Sequence, residues 1–441
     1  MVSTACRLTV ELRNNRLCQM LLPARFHKNK AHRLLSKMRC TNDLSIPGEF
    51  AIRSEPSSHM ITSEFKIAID DEEIADLRDR LTRARWPSAM RDVGWAMGMD
   101  VSFLRSLTKH WIDEFDWRRV EFALNQIPQF LARTDEGTIH FVHLRSNEQR
   151  ALPIILTHGW PSTFAELVRL GQMLVHPEAY GRPGEDSFDV IIPSMPGFAF
   201  SSAPIRPGTS VFEIADQWVA LIDALGYEKV LAHGGDIGAG VTMALGLRHA
   251  QRVHGLHVNF IPGSFRPTVR ADESLSPEES AFLAARQAWL DEEGGYSHLQ
   301  STKPDVLAPA LNDSPLGLAA WLVDKFRSWS DCNGDVWSRV EREELLTTVC
   351  LYWFTHSLPT SIRIYWESRK RPFHFVEHER VDVPLAVAHF PKEIYFPPRR
   401  YVERTCNVAR WTDMPRGGHF AALEEPELLA DDIRSFARRF R

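Results

Sequence analysis

The sequence is short of several features that would settle its class at once. Its 441 residues include six cysteines, Cys6, Cys18, Cys40, Cys332, Cys350 and Cys406, too scattered for a C-x-x-C pair or for the disulfide framework of a small secreted domain. They read as reduced thiols of a cytoplasmic protein. No run of eighteen apolar residues occurs, and the start lacks the apolar stretch and small-residue cleavage site of a secretory signal, so no membrane anchor is expected. An excess of one charge is missing as well. The 52 Lys and Arg stand against 57 Asp and Glu, a net charge of −5 that offers no concentrated basic surface and argues against nucleic acid as a partner. No Cys/His ligand spacing and no phosphate-binding glycine loop is present, so neither a metal nor an organic cofactor is expected.

What is present is a large apolar share, 44%, in a chain long enough to bury an extensive core. Residues 1–61 stand apart as a basic extension: the first 60 residues carry ten Lys/Arg against four Asp/Glu and no sustained period, which predicts little order. A transit peptide, a basic contact arm and an extension upstream of a start at Met60 all remain open for it. Residues 62–150 read as a helical region ahead of the sheet: "FKIAIDDEEIADLRDRLTRARWP" gives a short strand, then a helix with Ile74, Leu77 and Leu81 at helical spacing that Pro87 stops, and two further helices fall within 100–130, where Phe103, Leu107, Trp111 and Phe115 recur at i, i+4 steps. Apolar, β-branched runs then alternate with helical patterns: "TIHFVHLR", "LPIILTHGW", "FDVIIPSMPG", "KVLAHGG", "VHGLHVNFI" and "VPLAVAHFP" are of strand length. That rhythm predicts an α/β fold with a mainly parallel sheet flanked by helices. It breaks over residues 264–378, which are helical and aromatic-rich. The expectation is therefore a core in two parts, 151–263 and 379–441, with a helical lid inserted between strands, over the carboxyl ends where such sheets bind ligands.

Chemistry enters at "EKVLAHGGDIGAGV" (228–241), a strand ending in a glycine turn that opens a helix. This resembles the elbow at which α/β-hydrolases display a serine, but the residue displayed is Asp236. A carboxylate is too weak a nucleophile for ordinary amides and esters, yet it can displace at a strained or activated sp³ carbon such as that of an epoxide or alkyl halide. Gly234 and Gly238 are expected where the backbone approaches itself, and Gly235 where the dihedral is strained. The competing reading is a glycine turn whose Asp caps the next helix. Upstream, "LTHGWP" (156–161) reads as an oxyanion turn supplying the Trp160 backbone N–H beside that of Ile237. Downstream, "RGGHFAALEEPE" (416–427) sets His419 in a glycine loop as a base, and Glu393 in "FPKEI" (390–394) follows a strand, placed to orient the imidazole.

Taken together, these blocks resemble the microsomal-type epoxide hydrolases of the α/β-hydrolase superfamily over roughly residues 62–438. Further blocks that carry the resemblance are "RARWP" (83–87), "FDWRR" (115–119), "GGYSHLQSTKPDVLAPALNDSPLGLAAWLVDKF" (294–326) and "YWFTHSLPTSIRIYWE" (352–367). The resemblance implies an α/β-hydrolase fold, Asp236 as nucleophile, His419 and Glu393 as the acid-base pair, and two lid tyrosines, Tyr296 and Tyr365, gripping the epoxide oxygen with Trp160 beside the substrate. It implies a small apolar epoxide and water as partners and a vicinal diol as product. A homodimer stays open. Two rivals are a haloalkane dehalogenase, disfavoured because Trp160 and Ile237 stand where that chemistry uses Asn and Trp, and an inactive binding protein of the same fold, disfavoured because every member of the constellation is in place.

Overall fold

The apolar runs form strands of one nine-stranded sheet, in the spatial order β1-β2-β3-β5-β4-β6-β7-β8-β9. These are β1 (Thr62–Phe65), β2 (Gln129–Thr134), β3 (Gly137–Leu144), β4 (Leu152–Thr157), β5 (Phe188–Pro193), β6 (Val230–Gly234), β7 (Val253–Val258), β8 (Val381–His389) and β9 (Cys406–Asp413). The computed structural model describes residues 60–148, 151–268 and 273–441, which belong to one unit, Ser57–Arg441. The basic extension expected over residues 1–61 falls almost wholly outside the described residues. Neighbours from β5 through β9 run parallel, as expected, whereas β1, β2, β3 and β5 pair antiparallel.

One expectation needs correcting here. Residues 62–150 do not merely precede the sheet but join it: β3 is the strand expected in "TIHFVHLR", the short strand expected from Phe65 onward lies slightly earlier as β1, and β2 falls where helix was expected. Their helices, α1 (Asp71–Thr82), α2 (Val101–Asp113) and α3 (Trp117–Asn125), do match the expected periods, and Leu107 and Trp111 are buried as the stripe requires. Phe115 is buried too, but just past the end of α2. These helices strap down the lid. The Trp117 ring packs on Phe354 with centroids 4.8 Å apart, and Phe103 stacks on Trp337 at 5.1 Å.

In the core, α4 (Phe164–Val175) follows β4, α5 (Val211–Ala224) follows β5 and α6 (Asp236–Arg248) follows β6. Ser210 and Glu213 form a capping box that starts α5. Helix α6 is buried from Gly238 to Gly246, so it lies inside the core rather than on it. The lid fills the gap between β7 and β8 as predicted: α7 (Pro277–Glu293), α8 (Gly295–Thr302), α9 (Pro304–Asp313), α10 (Pro315–Trp329), α11 (Arg342–Phe354), α12 (Leu358–Ser361) and α13 (Arg363–Lys370). Its two stalks are tied by Arg266 N–H donating to Phe373 O and Phe375 N–H donating to Arg266 O, both at 3.0 Å. Most lid aromatics are core: Phe326, Trp329 and Tyr352 are sealed in it. The chain closes through α14 (Arg399–Glu403), α15 (Ala421–Glu424) and α16 (Pro426–Ala437). Among the described residues no single helix is long and apolar enough to cross a membrane. Strands β4 and β6 are neighbours although β5 lies on the far side of β4, so the direction of chain progression reverses between them, and the loops after both converge on one crevice.

Candidate active site

Strand β6 ends at Gly234, and Asp236 opens α6. The elbow is strained, but not where expected. Gly235 is extended at φ −111°, while Asp236 itself takes the left-handed region at φ 47°, a conformation that costs a non-glycine residue about 1–3 kcal/mol and persists only where packing enforces it. Gly235 is small for another reason: a Cβ there would lie 2.8 Å from Asn259 Oδ1. Gly234 and Gly238 behave as predicted, since a Cβ on Gly238 would lie 2.0 Å from the Thr157 carbonyl oxygen and one on Gly234 would lie 2.3 Å from the Gly238 backbone. Gly159 adds a requirement that sequence reasoning missed, because a Cβ there would meet Asp236 Cβ at 2.4 Å.

The Asp236 carboxylate does not cap a helix. Its Oδ1 accepts from the Trp160 N–H at 2.8 Å. Of the two expected oxyanion donors, the Trp160 amide is thus the one engaged in this resting geometry. Asp236 stands in the first turn of α6, where the partial positive charge of a helix N-terminus favours a carboxylate.

His419 reaches the site from the loop after β9. Its Nδ1 lies 2.5 Å from Glu393 Oε1 and its Nε2 lies 3.5 Å from Asp236 Oδ2, with the His419 and Glu393 side chains 2% and 1% exposed. The three residues predicted from three distant segments therefore meet in a line. Burial disfavours the imidazolium, yet the Glu393 and Asp236 carboxylates outweigh burial and hold the His419 pKa well above its ordinary value. The loop is fixed by Glu424, which sequence reasoning did not single out. Its carboxylate accepts from the Gly418 and Phe420 amides on either side of His419, both at 3.0 Å, and from Asp331 N–H at 2.7 Å. The lid contributes as well, for Trp329 O accepts the His419 N–H at 3.0 Å and the Trp329 ring meets the imidazole edge-on at 5.1 Å.

Tyr296 on α8 and Tyr365 on α13 converge on Trp160. The Tyr296 ring stacks on Trp160 at 5.6 Å, Tyr365 meets Trp160 edge-on at 5.7 Å, and the two phenol rings lie 5.9 Å apart. Burial, aided by nearby Asp236, raises both phenols well above the usual range, so both stay protonated. Tyr352 is separately occupied, donating to Ser162 O at 2.9 Å. A cavity of about 450 Å³ runs from Asp236 past both tyrosines and is walled by Phe260, Ile394 and Tyr395 among others. Tyr395 was passed over in the sequence because nothing but its nearness to Glu393 marks it. Burial pushes its phenol up to about 12. Among the described residues no cluster of His, Cys, Asp and Glu suits a metal ion.

A twisted, mainly parallel sheet with a glycine elbow at its switch point and a helical lid over its strand ends defines an α/β-hydrolase-fold enzyme. Residues 153–289 match the family model described as alpha/beta hydrolase fold, and residues 62–167 match the one described as Epoxide hydrolase N terminus. The chain is 34% identical over 403 residues to epoxide hydrolase 1 of Oryctolagus cuniculus, covering 84% of this chain and 88% of that one. It is 36% identical to juvenile hormone epoxide hydrolase 2 of Ctenocephalides felis, covering 85% of each. The solved structure of Aspergillus niger epoxide hydrolase superposes with a TM-score of 0.76 at 30% identity, over 87% of this chain and 97% of that one. The chain belongs to the epoxide hydrolase family.

Proposed function

We propose that the protein opens an apolar epoxide to a vicinal diol in two steps, through an ester on Asp236. The observation that carries this reading is the Asp236 carboxylate, held by the Trp160 amide at the foot of a cavity that passes two protonated phenols, with His419 and Glu393 behind it. In the first step a carboxylate oxygen forms a bond to one ring carbon, and the C–O bond of the strained ring breaks. The departing alkoxide, more basic than a phenolate, takes a hydrogen bond and then a proton from Tyr296 or Tyr365. In the second step water attacks the ester carbonyl carbon and gives its proton to His419 Nε2. Glu393 holds the imidazolium, and the Trp160 and Ile237 amides hold the oxyanion. Collapse releases the diol and restores the carboxylate, and the proton held by His419 passes through solvent to the phenolate left by the first step, so the cycle closes with one water consumed. A dehalogenase reading gains nothing from this site, since two phenol donors suit an oxygen leaving group.

The test is stopped-flow ester formation and diol analysis on styrene oxide. The parent is expected to give diol and to release no chloride from a chloroalkane. Loss of an unshared general acid slows a step by on the order of 10²–10⁴-fold. Because two phenols share one oxygen, Tyr296→Phe and Tyr365→Phe should each cost less than that, and the double variant should cost disproportionately more in ester formation alone. Parental alkylation by the double variant would remove both tyrosines from the reaction.

A pH prediction follows from the two carboxylates that raise His419. Alkylation turns the Asp236 carboxylate into a neutral ester and so removes one of them. His419 should then lose its proton at a lower pH in the ester than in the free enzyme, which converts it into a base when a base is needed. Ester hydrolysis in single turnover should rise with pH around a pKa lower than the one His419 shows by NMR titration of the free enzyme. Equal values would mean that Asp236 does not carry the ester.

A further inference from the structure

Behind the nucleophile lies a second cavity of about 20 Å³, enough for one water molecule. Its walls include Asp236, His419, Glu166, Ser162, His233 and Asn259, a polar lining able to give a water the two to four partners it needs. His419 Nε2, the atom that must take a proton, is buried without a hydrogen-bond partner. Among the described residues, Asp236 alone lines both this cavity and the larger one beneath the lid tyrosines. Glu166, in the first turn of α4, alone lines both this cavity and an outer groove of about 480 Å³ bordered by α3, α4 and α11. The order is thus lid cavity, Asp236, small polar cavity, Glu166, outer groove.

That order solves a problem in the two-step scheme. Once the ester forms, its alkyl group occupies the lid cavity, so water cannot easily reach the carbonyl carbon from that side. We propose that Glu166 is a positioning residue for the hydrolytic water, holding water supplied from the outer groove between the Asp236 ester and His419 Nε2. Burial pushes its carboxyl up to about 7, with the Ser162 hydroxyl opposing the shift, so around neutral pH it is able to donate as well as accept a hydrogen bond. It does not exchange protons with substrate. It aims the nucleophile that His419 deprotonates.

This inference rests on the two-step reading, and the test separates them by following both steps in single turnover on styrene oxide. Glu166→Leu removes the polar group and should leave ester formation within about twofold of the parent while slowing ester hydrolysis by about tenfold or more, the loss of roughly one buried hydrogen bond. Glu166→Gln keeps donor and acceptor and should restore hydrolysis. Ala165→Phe, which narrows the outer groove beside Glu166, should slow hydrolysis selectively and stands in if the Leu variant does not fold. Parental hydrolysis in Glu166→Leu, equal loss in both steps, or Gln as slow as Leu would overturn the role of Glu166. If no ester forms even in the parent, it is the two-step reading that fails.

Discussion

Asp236→Ala is expected to leave a folded protein whose turnover falls by on the order of 10⁴-fold or more, the scale on which removal of a covalent nucleophile acts. The left-handed φ of 47° at this position suits Ala somewhat less than Asp, so a small loss of stability should accompany the loss of the carboxylate. The substitution also removes the acceptor for the Trp160 N–H at 2.8 Å. That amide borders the small polar cavity, where water can satisfy it, so the loss should register in rate far more than in melting temperature. Circular dichroism and thermal melting beside a diol assay check this. An Ala variant that retains even a hundredth of parental turnover would point to direct attack of water on the ring.

The second large effect divides the reaction. His419 acts only on the ester in the proposed scheme, so His419→Gln should alkylate and then stall, trapping an adduct whose mass is that of protein plus substrate. Gln can still approach Glu393 but cannot accept the water proton. Intact-protein mass spectrometry after incubation with styrene oxide reads the result, and steady turnover should fall by on the order of 10²–10⁴-fold or more. A folded, substrate-binding, adduct-free His419→Gln protein would place His419 in ring opening instead.

Much of this site was legible because its residues sit in short blocks whose chemistry is unusual together. A carboxylate in a glycine elbow, a histidine after two glycines and an acid just past a strand are each weak signals, yet the fold brings His419 within 2.5 Å of Glu393 and 3.5 Å of Asp236. What stayed hidden has physical reasons. Strand β2 was read as the tail of a helical stretch, because "PQFLART" is short, follows a helix closely and pairs antiparallel at the margin of the sheet. Strand β9 is an edge strand whose exposed Asn407 and Asp413 and half-buried Arg410 dilute the apolar period. The strain at the elbow was assigned to Gly235, since glycine is the residue that adopts positive φ most readily, but Gly235 is extended and is small because Asn259 leaves no room for a Cβ, while the positive φ falls on Asp236. Glu166 and Glu424 look like ordinary helix-surface acids in sequence. Only the tertiary structure turns one toward the nucleophile and the other onto the amides around His419.

The central claim is that oxygen enters the product by way of Asp236. It is tested most directly by one turnover of excess enzyme on styrene oxide in heavy-oxygen water, followed by mass analysis of the diol and of the peptide containing Asp236. The ester route predicts an unlabelled diol and one heavy oxygen in the Asp236 carboxylate. A labelled diol with an unlabelled Asp236 would contradict it.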